Sequence, residues 1–286
     1  MIPYLDRVVK QGGPALLFEN VDGSDFPVLV NIFGSEKRAA WALGVEDLNE
    51  LGKKVEKLLG LAKGPPAGFI DKARTLMDLV KIAGFPPKHV RNAPSQEEVL
   101  LGNEADLNKL PILKCWPLDA GRFITLPLVI TKDPISGVRN VGMYRMQVYD
   151  GQTAGMHWQT HKVGTHHERL AVEAGQGKLE VAVALGGDPA TIWTGSAPLP
   201  PELDEFVMAG FLRGEGIELT KAKTVDLDVP AQAEIILEGY VVPGETRLEG
   251  PFGDHTGYYS MQDLYPVFHL TAITRRRNPI YPTIVV

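Results

Sequence analysis

A single cysteine, Cys115, stands in a chain of 286 residues, which excludes an internal disulfide and a cysteine zinc cage. Long apolar runs are missing too. Nothing approaches the roughly 18 residues that cross a bilayer, so no stable transmembrane anchor is expected. The opening Met1-Ile2-Pro3-Tyr4-Leu5-Asp6 lacks the basic-then-apolar order of a secretory signal, and a cytoplasmic location is the expectation. Basic excess is absent as well: 29 Lys and Arg against 35 Asp and Glu leave a net charge of −6, the wrong balance for a nucleic-acid surface. Arg275-Arg276-Arg277 is short and flanked by strand-like sequence, an edge or turn rather than a polyanion site. The signatures GxxxxGKS/T, HExxH and GxSxG do not occur. Leu185-Gly186-Gly187-Asp188-Pro189 lacks the third glycine and following helix of a dinucleotide fingerprint and reads as a structural turn.

With 44% hydrophobic and 22% charged residues, the chain has a globular composition, long enough for about two domains of roughly 150 residues each. Up to residue 110 it mixes short apolar runs with helical spacing. Segments 14–19 and 27–33 read as strands, joined through the turn Val21-Asp22-Gly23-Ser24 into a hairpin. Ser35 caps a helix over 36–43, and apolar spacing predicts further helices over 45–59 and 70–82. Beyond 110 the sequence turns β-rich, with strands expected at 123–130, 138–148, 155–158, 179–185, 217–220, 233–242 and 267–274. Short helices are expected at 168–174 and 202–212. Many antiparallel strands hide their edges best by closing, which suggests a closed or split β-barrel. The last residues form an apolar, β-branched run and read as a strand cut where it should meet something.

Glu249-Gly250-Pro251-Phe252-Gly253-Asp254 holds two carboxylates five residues apart among glycine and proline. Pro251 lacks an amide donor and Gly253 can take positive φ, so a tight irregular loop is expected. Two readings stand. Either this is a solvated turn with ordinary surface acids, or the acids share a site and separate their pKa values into one charged and one proton-bearing group. In the strand over 138–148, Asn140, Gly142 and Tyr144 share one face and Arg145 the other, unless a bulge or strand end reorients them. His161, His166 and His167 read as surface or satisfied core histidines or as ligands. Glu205 reads as a solvated acid at a helix N-terminus or as a ligand. Asn, His and Glu together would suit Mn²⁺ or Mg²⁺ with phosphate oxygens completing the shell.

Seven blocks in order resemble the UbiD decarboxylases, which use prenylated FMN. They are Leu110-Pro111-Ile112-Leu113-Lys114-Cys115-Trp116-Pro117, Asn140-Val141-Gly142-Met143-Tyr144-Arg145, Trp158-Gln159-Thr160-His161, the 184–190 segment, the 205–214 segment, the 233–240 segment, and the loop from Arg247 to Tyr259. The resemblance implies an α+β fold: an N-terminal α/β lobe over 1–110, followed by a split β-barrel of flavin-reductase type over 111–286 that holds the cofactor. It implies further that this chain lacks the C-terminal domain, which closes over the cofactor and builds the homo-oligomer. Asn140, His161 and Glu205 match the family's Mn²⁺ ligands. A K⁺ ion would rest on carbonyls of Trp193-Thr194-Gly195-Ser196-Ala197, with Glu205 shared. Thr125, Gly142, Met143, Arg145, Gly195 and Pro198 match positions around the flavin; Thr160 stands where some members carry a glutamine contact. Glu249, Arg145 and Asp254 match the acid-arginine-acid set, with Asp254 the expected proton donor. The implied reaction is non-oxidative decarboxylation of an aromatic or α,β-unsaturated carboxylic acid, with hydroxyarenecarboxylate quinone precursors the expected substrates. A flavin prenyltransferase would supply the cofactor. A cofactor-binding fragment without turnover and an FMN-dependent flavin reductase are the competing readings.

Overall fold

The computed structural model describes residues 2–53, 56, 85–159, 161–197, 199 and 203–285. Chain order begins α1 (Ile2–Lys10), β1 (Leu16–Phe18), β2 (Val28–Val30), α2 (Glu36–Ala42), β3 (Lys88–His89), β4 (Glu98–Leu101), β5 (Phe123–Ile124) and β6 (Leu128–Lys132). It continues β7 (Arg139–Met143), β8 (Met146–Val148), β9 (Thr153–Met156), α3 (Val163–Glu173), β10 (Leu179–Leu185), α4 (Pro189–Thr194) and α5 (Glu205–Arg213). The last strands are β11 (Glu218–Lys221), β12 (Asp228–Pro230), β13 (Ile235–Glu249), β14 (Asp263–Arg275) and β15 (Tyr281–Thr283). Among the described residues, nine strands form one curled half-barrel in the order β5-β8-β9-β14-β13-β10-β6-β7, with β4 added to β14. The fold is mixed α+β.

Burial on both faces shapes the middle of this sheet. In β10, Leu179, Val181, Val183 and Leu185 point into the barrel cluster. Ala182 and Ala184 face the second cluster with Phe206 and Ala209 of α5. A strand covered on both faces reads as a near-continuous apolar run, broken here only by the half-buried Glu180, so 179–185 was legible without alternation. Burying each large aliphatic side chain contributes about 1.5–3 kcal/mol, and that drives the packing of α5 and of the β12-β11-β3 sheet onto the outer face.

The expected hairpin is β1 paired antiparallel with β2, and Ser35 caps α2 by accepting the Arg38 amide. The terminal apolar run is β15, which pairs parallel with β2. The helix expected over 45–59 falls partly, and that over 70–82 wholly, outside the described residues. Other expectations need correction. The strand over 123–130 is interrupted between Ile124 and Leu128, where Pro127 offers no amide to the ladder. Helix α3 begins at Val163, ahead of 168, because Gly164 lets the helix lie against Trp158: a Cβ there would meet the indole at 2.5 Å. The Gly186-Gly187 turn is followed by a helix after all, α4, whose N-cap Asp188 accepts the amides of Ala190 and Thr191. Two of the three consecutive arginines are taken up by acids. Arg275 pairs with Glu98 and Arg276 with Glu234.

The long β13–β14 hairpin carries the candidate site, and its register slips between Glu238 and Gly239. A Cβ on Gly239 would stand 2.0 Å from the His269 carbonyl. Gly239→Ala is expected to cost roughly 1–3 kcal/mol, measured as a lower urea midpoint; an unchanged midpoint would mean that the hairpin yields there.

Candidate active site

Glu249 is the last residue of β13 and its side chain is fully buried, with Arg145 as its main partner. Arg145 Nε donates to Glu249 Oε1 at 2.8 Å and Nη2 to Oε2 at 3.2 Å. Arg145 can reach it because β7 ends at Met143 and β8 starts at Met146, so Tyr144 and Arg145 lie in a break where strand parity no longer applies. The guanidinium rests on the Phe252 ring at 4.6 Å, and Phe252 rests on Phe123. Fork-to-fork pairing of this kind is the strong form of the interaction. Asp254 Oδ2 stands 3.7 Å from Arg145 Nη1, so one guanidinium faces both acids.

The loop is braced on all sides. Gln147 Oε1 accepts the Gly250 amide, Asp119 accepts those of Gly253 and Trp116, and Ser260 Oγ accepts that of Phe252. Gly250 and Gly257 take positive φ, not Gly253; Gly253 is required because a Cβ would meet Trp116 at 2.3 Å. A second partner reaches Glu249. His157 Nδ1 lies 3.1 Å from Oε2, and its ring packs at a tilt against Tyr265, the centroids 4.3 Å apart. On the loop's outer side a cavity of about 280 Å³ lies among Asp6, Lys10, Trp116, Asp254, His255 and Tyr258.

Electrostatics does not split the acids. Burial works to raise the Glu249 pKa, but the His157 and Arg145 hydrogen bonds and charges prevail and hold it below the usual glutamate value. Asp254 is also held low: burial raises it, and His255 and Arg145 outweigh that. Both carboxyls are therefore anions near neutrality, which corrects the expectation of one charged and one protonated group.

A second group of candidates lies where β7 meets α5. The Glu205 carboxyl is pushed up to about 7, chiefly by burial and then by the neighbouring Asp204 charge, against the Val141 amide and Arg139. Buried Asn140 leaves its Nδ2 without a hydrogen-bond partner. Asn140 and Glu205 both act on the buried Tyr144 phenol, whose pKa is raised mainly by burial. Next to them Met143 donates its amide to the Gly195 carbonyl at 2.8 Å.

Comparison with known proteins supplies the family. Residues 88–286 match the 3-octaprenyl-4-hydroxybenzoate carboxy-lyase Rift-related domain of UbiD, and residues 3–58 match the N-terminal domain of the same carboxy-lyase. The chain belongs to the UbiD family. It is 56% identical over 286 residues to an uncharacterized protein of Archaeoglobus fulgidus, covering 100% of this chain and 58% of that protein. The UbiD-class enzyme HmfF from Pelotomaculum thermopropionicum, in complex with FMN, aligns with a TM-score of 0.83 at 33% identity, covering 99% of this chain and 58% of that one. Vanillic acid decarboxylase of Sedimentibacter hydroxybenzoicus, in closed form, aligns with a TM-score of 0.83 at 26% identity, over 100% of this chain and 58% of that one. The chain thus spans 58% of the length of these UbiD-family relatives.

The structure brings Arg145, Glu249 and Asp254 together, and separately Asn140, Gly142, Met143, Gly195 and Glu205. His161 is exposed in the turn ahead of α3. Thr160 and Pro198 lie outside the described residues. The Thr125 hydroxyl is taken up by the end of β15, donating to the Ile284 carbonyl and accepting the Ile284 amide. His167 is a satisfied core histidine, with Nδ1 2.9 Å from the Thr131 hydroxyl and its pKa lowered by burial. Cys115 is buried with its thiol pushed up to about 12 by burial, which makes it inert at neutral pH. His157, Ser260 and Asp119 were missed. Of these only His157 carried a sequence signal, as a second histidine four residues before His161.

Because Glu249 has a depressed pKa, its stabilisation is present above the ordinary value of 4.5 and disappears as pH falls through the lower folded value. Glu249→Gln is expected to destabilise the chain by about 3 kcal/mol at pH 7, since it leaves Arg145 buried without its anion. The difference should shrink as pH falls through that lower folded value, read by urea denaturation; a pH-independent loss would mean that packing, not charge, is what the carboxylate supplies.

Proposed function

We propose that this chain is the cofactor-binding and acid-bearing part of a non-oxidative carboxy-lyase acting on an aromatic or α,β-unsaturated carboxylic acid with prenylated FMN. The observation that carries this reading is the single guanidinium of Arg145 between Glu249 and Asp254. Family membership supports it, as does the FMN held by HmfF and the prFMN held by an evolved dimeric form of that enzyme. We assign a lobe to residues 1–110 and a split barrel of flavin-reductase type to 111–286. When bound, prenylated flavin supplies an electron sink for the carbon that loses its carboxylate.

The protein's own groups do the rest. Arg145, fixed by Glu249 and by Phe252, offers its remaining donors to the substrate carboxylate. Asp254, partly exposed at the site edge and ionised at rest, takes up a proton and delivers it to the carbon after CO₂ leaves. Trp116 beside Gly253 walls the substrate side. Glu205 fits a divalent ion, because a carboxyl raised by burial is relieved by a hard cation, and Asn140 on the neighbouring strand would offer its amide oxygen. With His161 they would hold Mn²⁺ or Mg²⁺ against the cofactor phosphate, and the carbonyls near Gly195 would hold K⁺. Gly142, Met143, Gly195, Thr125, Thr160 and Pro198 would line the flavin. We further assign a cytoplasmic homo-oligomer, cofactor supply by a flavin prenyltransferase, and hydroxyarenecarboxylate substrates in quinone biosynthesis, the last from the Asp254-His255-Thr256-Gly257-Tyr258-Tyr259 block.

Glu205→Ala is expected to purify without manganese and without the flavin chromophore while its circular dichroism is unchanged; wild-type manganese content would remove Glu205 from the ligand set. Asp254→Asn is expected to keep the chromophore and lose CO₂ release from a hydroxybenzoate by about a hundredfold or more. Normal turnover in that variant would strip Asp254 of the proton-donor role.

A further inference from the structure

Each acid of the pair has a histidine of its own, and the two histidines differ in access to water. His157 is 17% exposed, with Nδ1 3.1 Å from Glu249 Oε2. His255 is 76% exposed, with Nδ1 2.9 Å from Asp254 Oδ1. Arg145 lies between the acids, so the line His157, Glu249, Arg145, Asp254, His255 runs from the interior to solvent. An ionised carboxylate only accepts hydrogen bonds, so both Nδ1 atoms carry hydrogen.

The acids at the two ends of this line differ in how a proton would fare. Glu249 accepts from Arg145 twice and from His157, so protonating it forfeits a charge-assisted bond. Asp254 meets Arg145 only at 3.7 Å, beyond hydrogen-bond length. Its short contacts are to the amide and ring of His255. One guanidinium against two carboxylates also leaves the set one negative charge in excess before an anionic substrate arrives. A proton must enter, and only Asp254 lies next to a donor open to water.

We propose that His255 reloads Asp254 with the proton each turnover consumes, while His157 holds Glu249 as a permanent anion. This rests on the carboxy-lyase reading. The substrate carboxylate leaves as CO₂ as its carbon–carbon bond breaks, a carbon–hydrogen bond forms with the Asp254 proton, and Asp254 is left ionised. Protonated His255 passes its Nδ1 proton to Oδ1, and the exposed ring recovers one from water. The groups facing His157 are Glu249 and Tyr265, with Arg145 paired to the same Glu249; Tyr149 lies near Glu249 and Asp263 near Tyr265. Those facing His255 are Asp254 and, across the 280 Å³ cavity, Asp6, Lys10, Tyr258 and Tyr259. Lys10 is paired with Asp6, so α1 adds no net charge there. His157 is a positioning residue and His255 a proton-supplying one; neither need touch the substrate.

Carboxyl-labelled NMR titration of the purified chain tests the wiring without any turnover. His255→Ala is expected to raise the Asp254 midpoint toward its ordinary 3.8 and leave Glu249 in place; His157→Gln is expected to raise Glu249 and leave Asp254. In the full-length, cofactor-loaded enzyme, His255→Ala should lower kcat by about a hundredfold, with KM unchanged and added imidazole restoring the rate. His157→Gln should move the acid limb of the pH profile to higher pH and gain nothing from imidazole. Midpoints that stay fixed, or full turnover of His255→Ala without imidazole, overturn the proposal. A wild-type enzyme that releases no CO₂ overturns the carboxy-lyase reading instead, and the two midpoints still decide whether each histidine sets its own acid.

Discussion

A carboxylate with no exposed surface must be compensated where it stands, and Glu249 is such a group. Removing one member of a buried pair costs about 3–5 kcal/mol, so every element around Glu249 is constrained to deliver a partner. Strand β7 stops at Met143 so that Arg145 can turn inward. His157 reaches in from the end of β9, its amide bonded to the Arg145 carbonyl. Gln147 and Asp119 fix the amides that follow Glu249, and Phe252 supplies the ring beneath the guanidinium. The loop whose composition excluded helix and strand is in consequence one of the best-braced stretches of the chain.

How much of this was legible in the sequence depended on whether the signal was local. Leu179–Leu185 could be read because a strand buried on both faces is apolar at nearly every position, Glu180 excepted, and Ser35 because a cap lies next to its helix. Glu249 and Asp254 stood out as acids among glycines, and the strand end needed to bring Arg145 around was expressible as a parity conflict. The start of α3 was hidden because Val163-Gly164-Thr165 is a poor helix former, made helical by contact with Trp158, which no periodicity records. The charge state of the acids was misjudged for a similar reason. A pair of carboxylates alone pushes one pKa up, but Arg145 and His157 from separate segments, together with His255 beside Asp254, reverse it. Thr125 shows the same limit, since its hydroxyl is engaged by Ile284, 159 residues away.

The last constraint is one of register. From Val241 to Thr246 β13 takes five steps while its partner β14 takes only two, from Phe268 to Pro266. Three extra residues are an odd number, and an odd insertion exchanges the two faces of everything beyond it. Phe268 and Ala154 face the barrel interior, and an unbroken β13 would send Glu249 to that same side, among aliphatic side chains with no cation. After the insertion Glu249 pairs with Asp263 and shares the opposite face with Tyr265. Extending the β9 register places His157 opposite Tyr265, which is where the two rings meet. The irregularity in the hairpin is therefore what turns a core strand into the support of an ionised site.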